Sequence, residues 1–288
     1  MSCIEVTPVA FDSLGVRSMA TVVRASNAKI FIDPSAALAP MRYGLPPHRL
    51  ELEALRESVG RIDAELADAD VVIVTHYHYD HHDPGFRIPV ERYASKLVLV
   101  KDPVRSINVS QRIRASRFLK KLGEVGARVQ VADGRSFELG GLRITFSRPI
   151  PHGNSTRLGY VLAVRVEEGG DTVAFSSDVE GPLEGYAVDF MCGSRIAIVD
   201  GPPTYLVGRA YSEGDVARAR ENIAKLAKCV ERLVLDHHLV RDPGYASLFR
   251  EVLELSGRSP VTAAELIGLA PNLLEARRRE LYGVREEE

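Results

Sequence analysis

Four imidazoles and two carboxylates fall within eight consecutive residues, His76-Tyr77-His78-Tyr79-Asp80-His81-His82-Asp83, directly after the apolar run Val71-Val72-Ile73-Val74. The chain has eight histidines: these four, His152, the pair His237 and His238, and a stray His48. A polar surface loop is the competing reading, but folding gives no reason to group imidazoles, whereas a metal ion does. Neutral imidazole with carboxylate and without thiolate suits zinc, iron or manganese in a reactive site rather than a closed structural one. His76, His78 and Asp80 alternate, so an extended or gently turning backbone directs them to one side. His81 is adjacent and must point elsewhere, which fits a second ion beside the first. Two ions about 3.5–4 Å apart can clamp the attacking and the leaving oxygen of one displacement.

Such a site needs elements that deliver distant residues to one place. Strand signals cover 4–9, 19–24 and 29–32, followed by an amphipathic helix carrying Leu52, Leu55, Val59, Ile62 and Leu66 at spacings of three and four. Val71–Val74 reads as a strand covered on both faces. After a strand at 97–100 and a helix at 106–122, strands are expected at 129–131, 137–139, 142–146, 160–166 and 172–175. Gly140-Gly141 and Glu168-Gly169-Gly170 mark hairpin turns. The last third alternates: a strand at 196–199, a helix capped by Ser212, a strand at 233–235, then helices at 245–255 and 263–269 and a charged tail. His76, His152, Asp178 and His237 each follow a predicted strand, and strand ends in a sheet gather at one edge.

The pattern His76-x-His78-x-Asp80-His81, followed by His152, Asp178 and His237 or His238, resembles the metallo-β-lactamase superfamily of hydrolases. More narrowly, it is similar to a mainly archaeal branch of predicted metal-dependent hydrolases. The resemblance implies an α/β fold, the metallo-β-lactamase-like αβ/βα sandwich of two mixed sheets with helices on the outer faces. It implies two divalent ions, zinc first, with manganese or iron as alternatives. His76, His78 and His152 would hold one ion. Asp80, His81 and the late histidine would hold the other, with Asp178 bridging. A bridging hydroxide would attack an ester-type bond: a phosphodiester, a lactone or a thioester. Asp80 and His82 are the catalytic candidates. His82 and Asp83 extend the usual motif, and Pro84-Gly85 replaces a glycine that many members carry three residues after the motif's last histidine. His82 is either a general acid or substrate contact, or a solvated side chain. An iron-dependent redox or dioxygenase protein on the same fold is the alternative chemistry, against which stands His78, where diiron relatives usually carry glutamate. A non-catalytic metal-binding protein is the third reading, against which stands the complete ligand set.

Other residues are weaker candidates. His237 is favoured over His238 by the superfamily's strand-x-His spacing. Asp33, before Pro34, is explained by a strand-end turn or by support of a ligand, the turn being the cheaper account. Asp200 follows a strand and is a marginal site residue, while Tyr77 and Tyr79 suit packing. Between Lys101 and Arg135 nine basic residues stand against three acidic ones. A solvated helix face is the default for them, and a phosphate-bearing substrate the sharper reading.

Composition bounds the rest. With 288 residues, 45% of them hydrophobic, and a formal charge of −2, the chain reads as one globular domain spanning 1–288. That charge argues against a general attraction to nucleic acid or anionic membrane, so a small-molecule substrate is expected; the sequence sets no oligomeric state. Met1-Ser2-Cys3-Ile4 opens no secretory signal, and no apolar run nears the roughly 18 residues of a membrane span. Cys3, Cys192 and Cys229 are far apart and form no CxxC pair. The expectation is a cytoplasmic protein with reduced thiols and no disulfide framework.

Overall fold

The apolar run before the histidines is the fourth strand of a six-stranded sheet in the computed structural model, which describes residues 4–284. Cys3, the start of the chain and the end of the charged tail lie outside the described residues. The first half of the chain builds that sheet from β1 (Glu5–Phe11), β2 (Met19–Arg24), β3 (Lys29–Ile32), β4 (Val71–Val74), β5 (Leu97–Val100) and β6 (Arg128–Val131), with α1 (Arg49–Ala67) and α2 (Val109–Glu124) as crossovers. Strand order follows chain order, antiparallel up to β3 and parallel from β3 onward. The second half builds a sheet of order β14-β13-β12-β11-β8-β7. Its strands are β7 (Ser136–Leu139), β8 (Leu142–Phe146), β11 (Val164–Glu168), β12 (Asp171–Phe175), β13 (Ile196–Asp200) and β14 (Arg232–Asp236). A two-stranded ribbon, β9 (Ile150–Pro151) with β10 (Tyr160–Val161), interrupts the strand expected across 160–166.

Alternation along the strands sorts their side chains into layers. Ile30, Ile32, Val71, Ile73, Leu97 and Leu99 of the first sheet meet Ile144, Phe146, Val164, Phe175, Ile198 and Val234 of the second in one core. Phe31, Val72, Val74, Val98 and Val100 face the opposite way and pack on Leu55, Ile62 and Leu66 of α1 and Ala115, Phe118 and Leu122 of α2. The second sheet does the same with α3 (Gly185–Met191), α4 (Glu213–Cys229) and α5 (Ala246–Ser256). The result is helix, sheet, sheet, helix, the architecture expected.

Three details revise the sequence reading. Cys192 and Cys229 form a disulfide that ties the end of α3 to the end of α4, contrary to the expected reduced thiols. Their separation of 37 residues conceals the pair, which the packing of α3 beside α4 brings together. His48, the stray histidine, caps α1: its ring accepts from the Leu50 amide while its own amide donates to Glu51 Oε2. The charged tail is docked, because Arg278 is buried and forms a two-pronged ion pair with buried Glu51 at 2.6 and 2.7 Å.

Candidate metal centre

Every strand that feeds the centre ends on one edge of the sandwich. In the first sheet β1, β3 and β4 run the same way and deliver Asp12, Asp33 and His76 just past their ends. In the second, β12, β13 and β14 deliver Asp178, Asp200 and His237, and β9 delivers His152. The chain turns sharply there: Asp33, Ser177, Glu180 and His237 hold positive φ angles of 50°, 59°, 48° and 62°. Non-glycine residues rarely occupy that region, and those that do cluster at functional sites.

Two groups of four converge at this edge, with donor atoms in each within 4.8 Å of one another: His76, His78, His152 and Asp178, and Asp80, His81, Asp178 and His237. Asp178 belongs to both, and its two oxygens divide the work. Oδ2 lies 3.5 Å from His76 Nε2 and 3.3 Å from His152 Nε2. Oδ1 lies 2.8 Å from His81 Nε2 and 3.2 Å from His237 Nε2. His78 turns its Nδ1 toward His152 Nε2, at 3.1 Å. Nε2 of His76 and of His81 and Oδ1 of Asp178 are buried and have no hydrogen-bond partner. Orphaned polar atoms of this kind are costly, and here they point at common centres, so the donor set fits two divalent ions.

The opposite ring nitrogens are held. His81 donates from Nδ1 to Asp33 Oδ2 at 2.8 Å, and His237 donates from Nδ1 to Asp12 Oδ2 at 2.7 Å. A carboxylate only accepts, so each bond places the proton on Nδ1 and leaves the Nε2 lone pair for a metal. Thr75 Oγ1 donates to Asp33 Oδ2 and lies 2.6 Å from Ser177 Oγ, which is 3.3 Å from His76 Nδ1. Asp33 therefore anchors His81 directly and His76 through two hydroxyls. Arg241, buried, donates to Asp12 Oδ1 at 2.7 Å and stands 3.9 Å from Asp80 Oδ2. Glu180 Oε1 lies 3.4 Å from His152 Nδ1. A side chain at Gly153 would run into Glu180 and the Tyr211 hydroxyl, and Gly153 holds φ 78°, so glycine is required after His152.

Electrostatics follow from this packing. Burial favours neutral histidines, and it holds His76 down to about 3. Against the same burial, Asp178 and Glu180 raise His152 to about 9, and Asp178 and Asp12 raise His237 to about 10. Burial pushes Asp12 up, but Arg241 and His237 outweigh it and hold the group at about 2. Asp80 is likewise held well below the usual carboxylate range, His81 and His237 outweighing its burial.

The sequence candidates divide cleanly. His76, His78, Asp80, His81, His152, Asp178 and His237 come together. His238 joins neither group of four: its Nδ1 donates to Asp200 at 3.0 Å and its Nε2 is 3.7 Å from Glu180. Asp200, pushed up to about 7 by burial, also accepts the Glu180 amide. His82 is neither solvated nor among the donors: its ring packs on Tyr77, Tyr79 and Phe118. The amides of His81 and His82 both bond the His78 carbonyl, so the motif coils into a helical turn that swings successive side chains apart. Asp12, Arg241, Glu180 and Gln111, whose Nε2 lies 3.5 Å from His78 Nε2, were not singled out from sequence. The signal was available for Asp12, which directly follows a strand, as the other donors do.

Fold and site together define a class: the chain belongs to the metallo-β-lactamase superfamily, and the beta-lactamase superfamily domain matches residues 29–238. Within it the chain belongs to the UPF0282 family. It is 44% identical over 285 residues to a UPF0282 protein of Sulfurisphaera tokodaii, covering 96% of this chain and 92% of that one. A UPF0282 protein of Metallosphaera sedula is 45% identical with the same coverage. Among solved structures, the metallo-beta-lactamase fold protein YhfI from Bacillus subtilis aligns with a TM-score of 0.60 at 17% identity, over 91% of this chain and 96% of that one. Yeast PDE1 aligns at 0.52 and 11% identity, over 89% and 94%. These structural likenesses concern the fold. Among the described residues no helix is long and apolar enough to cross a membrane.

Proposed function

We propose that this protein is a dinuclear metal-dependent hydrolase acting on an ester-type bond, with zinc the first candidate ion and manganese or iron the alternatives. The observation that carries the reading is the two-sided carboxylate of Asp178, each oxygen of which faces a separate set of nitrogen donors. His76, His78 and His152 would hold one ion, and Asp80, His81 and His237 the other, with Asp178 between them. Two such ions supply Lewis-acid polarisation and a nucleophile at neutral pH. The protein's part is to fix the histidine tautomers through Asp33 and Asp12, and to balance Asp12 and Asp80 with Arg241. Of the seven donor residues only His78 and Asp80 are partly exposed, so substrate approaches from their side.

Metal analysis of purified protein, joined to assays on model phosphodiesters, lactones and thioesters, tests this reading. The expected result is two equivalents of zinc or manganese and hydrolysis of at least one class, lost in Asp80→Ala. One redox-active iron with oxygen consumption overturns it, as does bound metal with no turnover across the panel.

A further inference from the structure

We propose that the cleft between loop 83–87 and the outer face of α2 binds a nucleoside phosphate, with the base on Phe86 and the phosphate on Arg117 and Lys120. None of the seven donor residues lines this cleft, and the proposal does not depend on the hydrolase reading. The cleft encloses about 360 Å³, with Tyr79, Phe86, Arg114, Arg117, Lys120 and Lys121 among its walls. That volume lies toward the small end of ligand pockets and suits one nucleotide rather than a strand.

Its aromatic wall is built rather than incidental. The Asp83 carboxylate accepts the amides of Gly85, Phe86 and Arg87, at 2.7, 2.5 and 3.1 Å, which curls the loop that departs from the family motif. Lys121 Nζ ties the Pro84 carbonyl to α2. Phe86 is thereby fixed in place while 63% exposed, its ring 5.3 Å from that of Tyr79. Arg114 lies over the other ring, 4.4 Å from its centroid, and His82 stacks on Tyr79 from within. With Tyr79 covered by Arg114 and His82, the open ring is Phe86, a water-facing phenyl on which a base can stack.

The cationic wall follows from helix geometry. Arg114, Arg117 and Lys121 recur at spacings of three and four along one flank of α2, beside the buried stripe of Gln111, Ala115, Phe118 and Leu122. Like charges at that spacing repel, and an anion between them relieves the repulsion. Arg114 and Lys121 are committed to Tyr79 and Pro84. Arg117 has no ion pair or hydrogen bond among the described residues, and Lys120 has only a loose contact with Glu124 at 4.0 Å. Two uncommitted cations one turn apart suit phosphate oxygens, whereas a long polyanion is opposed by the chain's net charge of −2.

Calorimetric titration of the full-length protein with AMP, adenosine, inorganic phosphate and a single-stranded oligonucleotide tests the proposal. One AMP binds per chain, more tightly than adenosine or phosphate alone. Phe86→Ala and the double variant Arg117→Glu, Lys120→Glu each weaken binding about tenfold, in line with the loss of one stacked base, with metal content unchanged. Asp178→Ala, which strips the metal centre, keeps AMP binding. Binding lost in Asp178→Ala and kept in the cleft variants would place the nucleotide at the metals and overturn the proposal. Binding of the oligonucleotide alone, falling steeply with salt, overturns it in favour of non-specific polyanion contact. So does AMP binding no tighter than its parts.

Discussion

Asp33 supports a donor residue of each proposed ion, which makes it a residue on which both would depend. It holds His81 by one hydrogen bond and His76 through Thr75 and Ser177. Supporting carboxylates of this type are worth about 10–100-fold in metal affinity. Asp33→Asn is therefore expected to weaken retention of both ions together, measured by competition with a chelator. Loss of one ion alone would contradict the relay. The histidines make a second prediction. His152 at about 9 and His237 at about 10 are raised by the carboxylates that face them, and Asp178 and Asp33 raise His81 well above its ordinary value against its burial, so at pH 7 the metal-free protein carries protons on all three. A metal must displace those protons. Affinity should then rise with pH through about 9 and about 10, the values of His152 and His237. Titration at pH 7 in buffers of differing ionisation heat should show about three protons released on metal loading. Release near zero would mean that the histidines are neutral before the metal arrives.

At the scale of elements, the sequence revealed what is written locally. The strand β4, the stripe of α1, the Gly140-Gly141 hairpin and the Ser212 cap all carry short-range signals, and each stands where it was expected. The donors were legible because each follows a strand, and strand ends share an edge. What escaped depends on distance in space. Asp33 was explained well enough by its turn, and it does take φ 50°, but its bond to His81 spans 48 positions of sequence. The solvated alternative for His82 failed because the segment coils after His78 and turns the ring onto Tyr77, Tyr79 and Phe118. The disulfide escaped because only the packing of α3 against α4 brings Cys192 to Cys229. Closing a loop of 37 residues contributes about 2–4 kcal/mol by restricting the unfolded chain. The variant Cys192→Ser, Cys229→Ser should melt earlier by that margin in the absence of reductant, and reductant should lower the wild type toward it. Equal midpoints for variant and wild type without reductant would show that the bridge adds nothing.

At the scale of the whole molecule, the two ions would sit where the two halves of the chain meet. Each donor group draws on both halves of the chain: His76 and His78 beside the first sheet with His152 after the β9 ribbon and Asp178 after the second sheet, and Asp80 and His81 with Asp178 and His237. The inner faces of the sheets are joined by an apolar core, while at the donor edge the facing side chains are imidazoles and carboxylates, between which a bound cation would add a further tie. Anything that binds only the folded state stabilises it by mass action, about 4 kcal/mol for a ligand a thousandfold above its Kd. For a chain of this size that corresponds to roughly 7 °C in the melting midpoint. Chelation should lower the midpoint of the wild type by that order, and readdition of zinc or manganese should restore it. Asp178→Ala, which removes the carboxylate shared by both ions, should melt near the chelated wild type and respond to chelator no further. If chelation removes the metal and the midpoint stays, the apolar core alone holds the sheets together, and the ions serve chemistry without serving the fold.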